Sequence, residues 1–218
     1  MNPGPVDALD EAGEPAAVEA LAAAFRDSPL NQAVVGVDPQ RRLRCNRAGM
    51  RQLVASMRRL GVALIARSPG GLGVLLANPP DTYPLAPPGP WVQLRTLWVQ
   101  GPRVSLRWQR VFEHMHDVHP LEPHWYLATL GVDPRAQGTG LGSALLAALL
   151  RRADADELPT WLETDRAGNL PFYQRAGFRS VRESHVFGVP IWHMLRERRR
   201  SAPRGPGASE GRGSRESG

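Results

Sequence analysis

Gln137-Gly-Thr-Gly-Leu-Gly142 follows the apolar run Tyr126-Leu-Ala-Thr-Leu-Gly-Val132 and leads into the leucine-rich stretch Leu141 to Leu150. Gly138, Gly140 and Gly142 let successive backbone N–H groups turn toward one point without Cβ clashes. A helix starting there adds its unpaired amides and the positive end of its dipole. Leu141, Ala144, Leu145, Ala148 and Leu149 recur at helical spacing, and Arg151 and Arg152 fall in the last turn, where cations suit the negative dipole end. The stretch reads as a strand, a phosphate cradle and a helix, and the expected guest is a pyrophosphate.

Spacing narrows the guest. A P-loop requires lysine after its last glycine, but Ser143 follows Gly142 and all 27 Lys+Arg residues are arginine. A dinucleotide fingerprint wants its glycines directly after a strand, whereas Asp133 to Gln137 intervene and Ser143 stands at the third glycine position. That reading stays open because Glu163 and Asp165 lie where a ribose-binding acid would sit. A glycine-rich turn can also simply join a strand to a helix.

Downstream, Trp161-Leu-Glu-Thr164 reads as a buried strand, followed by Asn169-Leu-Pro-Phe-Tyr-Gln-Arg-Ala-Gly-Phe178. Asn169 suits an N-cap, Pro171 the first helical turn and Gly177 a left-handed terminator. Tyr173, one turn in, is placed to project its phenol toward the strand edge that carries the glycine loop. Phe172, Tyr173 and Phe178 would equally serve to pack this short helix on the sheet.

Together these stretches resemble the GNAT superfamily of acyl-CoA-dependent N-acetyltransferases. Gln137-x-x-Gly140-x-Gly142 matches its Gln/Arg-x-x-Gly-x-Gly/Ala loop, and Asn169, Phe172-Tyr173 and Gly177-Phe178 match its second motif in the right order. His124 to Val132, Leu162-Glu-Thr164 and Asn169 to Tyr173 resemble the branch containing puromycin N-acetyltransferase, over roughly residues 119–196. The resemblance implies a mixed α/β fold: one twisted sheet, a splay between its two central strands, and helices on both faces. It implies acetyl-CoA as co-substrate, no metal, and an amine that attacks the thioester directly in a ternary complex. By that likeness Leu130, Gly131 and Val132 would bond the pantetheine arm, and Gln137, Gly138, Thr139, Gly140, Leu141, Gly142 and Ser143 would hold the diphosphate. Asn169 and Tyr173 would border the same ligand.

In such a reaction the leaving thiolate needs a proton, and Tyr173 is the expected donor. Thiol and phenol have ordinary pKa values of about 8.5 and 10, so the phenol is protonated at neutral pH. The attacking amine must lose a proton, with Glu163 as the candidate base and His124 as the alternative. Glu163 would serve as well by orienting or charge-pairing the amine, and His124 by a structural hydrogen bond. His114, His116 and His119 lack the framework of a zinc site and read as a helix end near the acceptor pocket.

The 218 residues fit one domain, read as a mobile leader over 1–14, a catalytic domain over 15–198 and a disordered Arg/Gly/Ser-rich tail over 199–218. The single cysteine, Cys45, excludes an internal disulfide; the N-terminus lacks a signal-peptide layout, and no apolar run spans a bilayer. A cytoplasmic, soluble protein is expected. Of the net charge of +6, seven arginines against Glu197, Glu210 and Glu216 put a surplus of four beyond residue 195, so no basic groove for nucleic acid is expected. The expected partner is a small-molecule amine, with the chain a monomer or homodimer. A protein or peptide N-acetyltransferase, which needs an open groove, and a non-catalytic acyl-CoA-binding sensor are the alternatives.

Elsewhere, Ala16 to Arg26 and Arg41 to Leu60 read as helices. Val62 to Arg67 and Leu72 to Ala77 read as a hairpin-like pair, and Asn78 to Pro90 as a proline-rich loop. Trp91 to Gln100 and Arg103 to His116 read as helices whose Leu94, Leu97, Trp98, Val104, Leu106, Trp108, Val111 and Phe112 supply core, with Trp91 or Trp108 walling the pocket. The stretches to Val181 and from Pro190 to Arg196 read as closing strands.

Overall fold

The computed structural model describes residues 4–84 and 89–198; the tail expected over 199–218 lies outside the described residues. Strand β4 (Trp125–Val132) has no exposed side chain along its length, as expected of a strand with helices on both its faces. It pairs antiparallel with β3 (Gly71–Asn78), which pairs antiparallel with β2 (Val62–Ser68). On its other side β4 pairs parallel with β5 (Thr160–Thr164). A closing hairpin, β6 (Arg179–Val186) and β7 (Val189–Arg196), docks antiparallel on β5 through β7. The order of the open sheet is β1-β2-β3-β4-β5-β7-β6, with β1 at Val6–Ala8.

Helices cover both faces. Helices α1 (Glu14–Ala24) and α3 (Pro39–Leu60) bury Leu21, Val54 and Met57 against Ile65, Val74 and Leu76. On the opposite face α6 (Leu141–Ala155) buries Leu141, Leu145 and Leu149 against Leu64, Leu75, Leu127 and Leu162. Each such side chain contributes roughly 1.5–3 kcal/mol relative to exposure. The short α7 (Leu170–Arg175) joins this second layer through Tyr173. Helices α2 (Pro29–Val35) and α5 (Pro102–Asp117) meet β6 and β7 in a third cluster around Val34, Val111 and Ile191.

Two features of β4 shape the site. Its register against β3 jumps between Leu76 and Ala77, which face Thr129 and Leu127, so Ala128 is an extra residue. Such a bulge bends the strand and resets the alternation: Leu127 and Leu130 both meet the α6 cluster, while Ala128 meets the α1 side. Pairing with β5 then covers only Trp125↔Thr160, Tyr126↔Trp161 and Leu127↔Leu162. From Ala128 onward the two central strands part, which is the expected splay.

Several expectations change. The leader is not wholly mobile, since Val6–Ala8 pairs with Leu64–Ala66 and caps the edge of the sheet. Helix α1 ends at Ala24, two residues short of the expected Arg26, and Ser28 starts a further helix, α2, its hydroxyl accepting from Asn31 N at 3.2 Å. The tryptophan-bearing helices form, α4 as Pro90–Gln100, but they are not core. Val104 and Val111 are buried, whereas Leu94, Leu97, Leu106 and Phe112 are exposed and Trp91 and Trp98 are 81% and 85% exposed. Trp91 therefore walls no pocket. The helical periodicity is present, but α4 packs chiefly on α3 and α5, leaving its remaining circumference in water.

Candidate active site

The loop after β4 is built by local caps. Asp133 accepts from Arg135 N at 2.9 Å and starts a 3₁₀ turn over Pro134–Ala136. The Thr139 hydroxyl donates to Ala136 O at 2.7 Å. Gly138 and Gly140 have φ of 79° and 89°, the left-handed region that side chains resist, and the buried Leu141 anchors the helix start in the core. Among the described residues, the amides of residues 137–143 donate to no protein acceptor; the ladder begins with Ala144 N to Gly140 O at 3.0 Å. These unpaired donors, in a loop exposed at Gln137, Gly138, Gly140 and Ser143, form an anion cradle at a helix N-terminus.

The splay supplies the second feature. Leu130, Gly131 and Val132 continue β4 past its last rung with β5, so their backbone groups on that side lack a strand. Gly131 also lets α1 close in, because a Cβ there would stand 2.7 Å from Leu21 Cδ2 and 3.2 Å from Ala24 Cβ. Gln137 turns back, its Nε2 donating to Val132 O at 3.4 Å.

Tyr173 is 7% exposed, with its ring edge-on to Phe172 and Phe178 at centroid distances of 5.0 and 5.9 Å. Burial, then the charge of Asp165, pushes its phenol well above the ordinary 10, so it keeps its proton at neutral pH. Gly177, at φ 93°, ends the helix, and Phe178 N donates to Tyr173 O at 3.1 Å. An added Cβ on Gly142 would lie 3.7 Å from Phe172 Cζ, so α7 abuts the cradle. Asn169 does not cap this helix with its side chain; its Nδ2 donates instead to Thr164 Oγ1 at 3.2 Å, tying α7 to the end of β5.

Glu163 projects from β5 on the side opposite Leu162, and its side chain is only 5% exposed. Trp161 Nε1 donates to its Oε1 at 2.5 Å, and Tyr126 and Tyr83 lie close enough to feel its charge. Burial and this charge raise Tyr83 to about 12 and hold Tyr126 well above the usual phenol range. His124 is buried, its Nδ1 bonded to Glu122 O at 2.7 Å and its Nε2 3.0 Å from His119 Nε2. Carbonyl bonding puts the proton of His124 on Nδ1, so its Nε2 accepts from His119. His119 stacks on Tyr83 at 3.8 Å, and burial lowers its pKa to about 4.

The structure thus brings Glu163, Tyr126, Trp161, Tyr83, His119 and His124 together on the β4–β5 side, while the helix carrying Tyr173 abuts the cradle through Phe172. Asp165 is engaged elsewhere, accepting from Leu30 N at 2.8 Å at the start of α2. With both acids bonded inside the protein and one parallel pairing in the sheet, the dinucleotide reading fails. A surface cleft of about 510 Å³ lies at the C-terminal half of α6, lined by Arg151, Asp154, Gln174 and Arg196. Its charges include the Arg196–Asp154 pair at 2.7 Å, and it lies well along the helix from the glycine loop, which makes it no rival for the chemistry.

Sequence reasoning missed Tyr83, Tyr126, Trp161 and His193, whose Nδ1 lies 3.8 Å from Glu163 Oε1, as residues of the candidate site. His193 carried a usable signal, a histidine inside the apolar strand Ile-Trp-His-Met-Leu, where burial demands a polar partner.

Residues 106–178 match the model of the acetyltransferase (GNAT) family. The chain is 51% identical over 55 residues to a mycothiol acetyltransferase of Clavibacter michiganensis, covering 24% of this chain and 18% of that protein. A mycothiol acetyltransferase of Saccharomonospora viridis is 37% identical over 78 residues, covering 31% and 26%. The chain therefore spans under a third of the length of these curated relatives. Among solved structures, the histone acetyltransferase HPA2 and related acetyltransferase of Corynebacterium glutamicum superposes with a TM-score of 0.69 at 25% identity, over 92% of this chain and 99% of that one. The arylalkylamine N-acetyltransferase 2 of Aedes aegypti gives a TM-score of 0.61 at 16% identity, over 88% and 98%, a likeness of fold.

Proposed function

We propose that this chain, which has the GNAT fold and carries the acetyltransferase family's motif over residues 106–178, transfers the acetyl group of acetyl-CoA to a primary amine of a small molecule. One observation carries the reading: seven unpaired amides at the mouth of a splayed strand pair, flanked by a buried phenol on one side and a buried carboxylate on the other. The amides suit a diphosphate, and the unpaired edge of Leu130–Val132 suits an extended amide-bearing arm. The likeness of residues 119–196 to the puromycin-modifying branch and the mycothiol acetyltransferase relatives both favour a small acceptor. So does the enclosure of Glu163 by aromatic rings, in place of an open groove.

The reaction uses the two acid–base groups in turn. An ammonium first gives one proton to Glu163. The neutral amine attacks the thioester carbonyl, the carbon–sulfur bond breaks, the thiolate takes the Tyr173 proton, and the remaining surplus N–H proton of the new amide nitrogen returns to the Tyr173 phenolate. The raised phenol pKa does not forbid this transfer, because the same low-dielectric surroundings raise the thiol too. His124, locked between Glu122 O and His119, has no free nitrogen for the amine and acts as a strut. Thiol release from acetyl-CoA across a panel of small amines tests the proposal. Steady release that falls by about 10²-fold or more in Tyr173→Phe, with acetyl-CoA still bound, is the expected result. Tight binding without release for any amine would favour a sensor.

A further inference from the structure

His193 is completely buried in β7, and its Nδ1 has no hydrogen-bond partner. Glu163 Oε1 lies 3.8 Å from that nitrogen. The other ring nitrogen, Nε2, is 2.8 Å from Ser184 Oγ on β6, and Ser184 Oγ is 2.8 Å from His114 Nε2 on α5. His114 is partly exposed. A hydroxyl held between two ring nitrogens donates to one and accepts from the other, so it can pass a proton without itself holding a charge. With one 3.8 Å step still to close at Glu163, the row runs from the enclosed carboxylate to solvent through the β6–β7 hairpin and then α5, 70 residues away in the chain.

We propose that His193, Ser184 and His114 form a proton relay that carries the proton taken by Glu163 from the acceptor amine out to solvent at the α5–β6 face. This rests on the acetyl-transfer reading above. The ammonium N–H breaks and its proton joins Glu163. Glu163 passes a proton to His193 Nδ1, His193 releases its Nε2 proton to Ser184 Oγ, and Ser184 passes its own to His114 Nε2. His114 then sheds its Nδ1 proton to water, leaving every group neutral except the restored carboxylate. Rotation of the hydroxyl and tautomer exchange reset the row.

The surroundings favour this direction. His114 faces Arg182 of β6, Asp117 of its own helix and His193; burial first, then the charges of His193 and Arg182, holds it below its ordinary 6.5, so it does not retain the proton at neutral pH. Around Glu163 stand Tyr83, His119 and Tyr126, phenols and a ring that stay uncharged at neutral pH and do not compete for the proton. These three relay groups touch no substrate and act through Glu163.

The test compares Ser184→Ala, Ser184→Thr, His114→Asn and the Ser184→Ala/His114→Asn pair in the full chain, with an amine that the wild type acetylates. Expected are a fall in kcat of about tenfold or more in Ser184→Ala, recovery of most of it in Ser184→Thr, and no further loss in the pair. The KM for acetyl-CoA and its Kd stay unchanged. The dependence of kcat on deuterium fraction, curved in the wild type where several protons move together, becomes linear in Ser184→Ala. Wild-type kcat and a curved profile in Ser184→Ala would overturn the relay. So would a loss that Ser184→Thr does not restore, which marks a packing role that His114→Asn, being nearer the surface, would not share. Acetyl on Ser184 after mixing with acetyl-CoA alone would overturn it in favour of a covalent path. A wild type that acetylates no amine sinks the acetyl-transfer reading itself, a result distinct from any of these.

Discussion

His119 shows how one ring reports on the site from inside it. Burial outweighs the nearby Glu163 charge and leaves its folded pKa at about 4 against an ordinary 6.5. The unfolded chain takes up a proton as pH falls through 6.5, while the folded ring refuses it until about 4, so stability is full above the first value and is lost toward the second. Thermal midpoints measured from pH 7.5 down to 4.5 should fall, and His119→Gln should flatten the fall. A wild type with the same midpoint at both ends would show the ring to be solvated. At this scale Tyr173, Glu163 and the cradle glycines were legible in the sequence, because each sits in a motif whose spacing is local. Ser184 and His193 were not. Their bonds join β6, β7 and α5 across 70 residues, a pairing that only the register of the closing hairpin creates.

Among the elements, the cradle separates glycines that are required from one that is only small. Gly140, at φ 89°, opens α6 in a left-handed conformation, so Gly140→Ala should cost roughly 1–2 kcal/mol and weaken CoA binding as the amides turn away. At Gly142 an added Cβ meets Val132 Cγ2 and Phe172 Cζ at 3.6 and 3.7 Å, ordinary contact distances. Gly142→Ala should therefore melt like the wild type and bind CoA with little loss; isothermal titration of both variants decides between them. Helix existence was legible almost throughout, since caps and periodicity are written locally: α3 and α6 fall where their leucines and methionines recur. What each helix covers was not. Trp91, Leu94 and Trp98 have the spacing of a core face, yet α4 rests on α3 and presents them outward. The edge strand Val6–Ala8 was hidden for a related reason: three residues carry no period, and their pairing with β2 depends on the finished sheet.

The whole molecule is a sheet of two unequal parts, four strands carrying α1, α3 and α6, and three strands carrying the Tyr173 helix and the closing hairpin. The one parallel joint between them has three rungs, whereas β2 and β3 share seven. Helix α2 adds a second tie, through Leu30 N to Asp165. A narrow seam of this kind breathes more readily than the ladders beside it. A ligand seated along Leu130–Val132 would lace the seam from the open end. Amide exchange in β5, fast for a central strand when the protein is alone, should therefore slow on adding CoA, while exchange in β2 and β3 stays as it was. In the proposed reaction, assembly of the reactive groups would then be inseparable from cofactor arrival, since Tyr173 stands on one bank of the seam and the cradle glycines on the other.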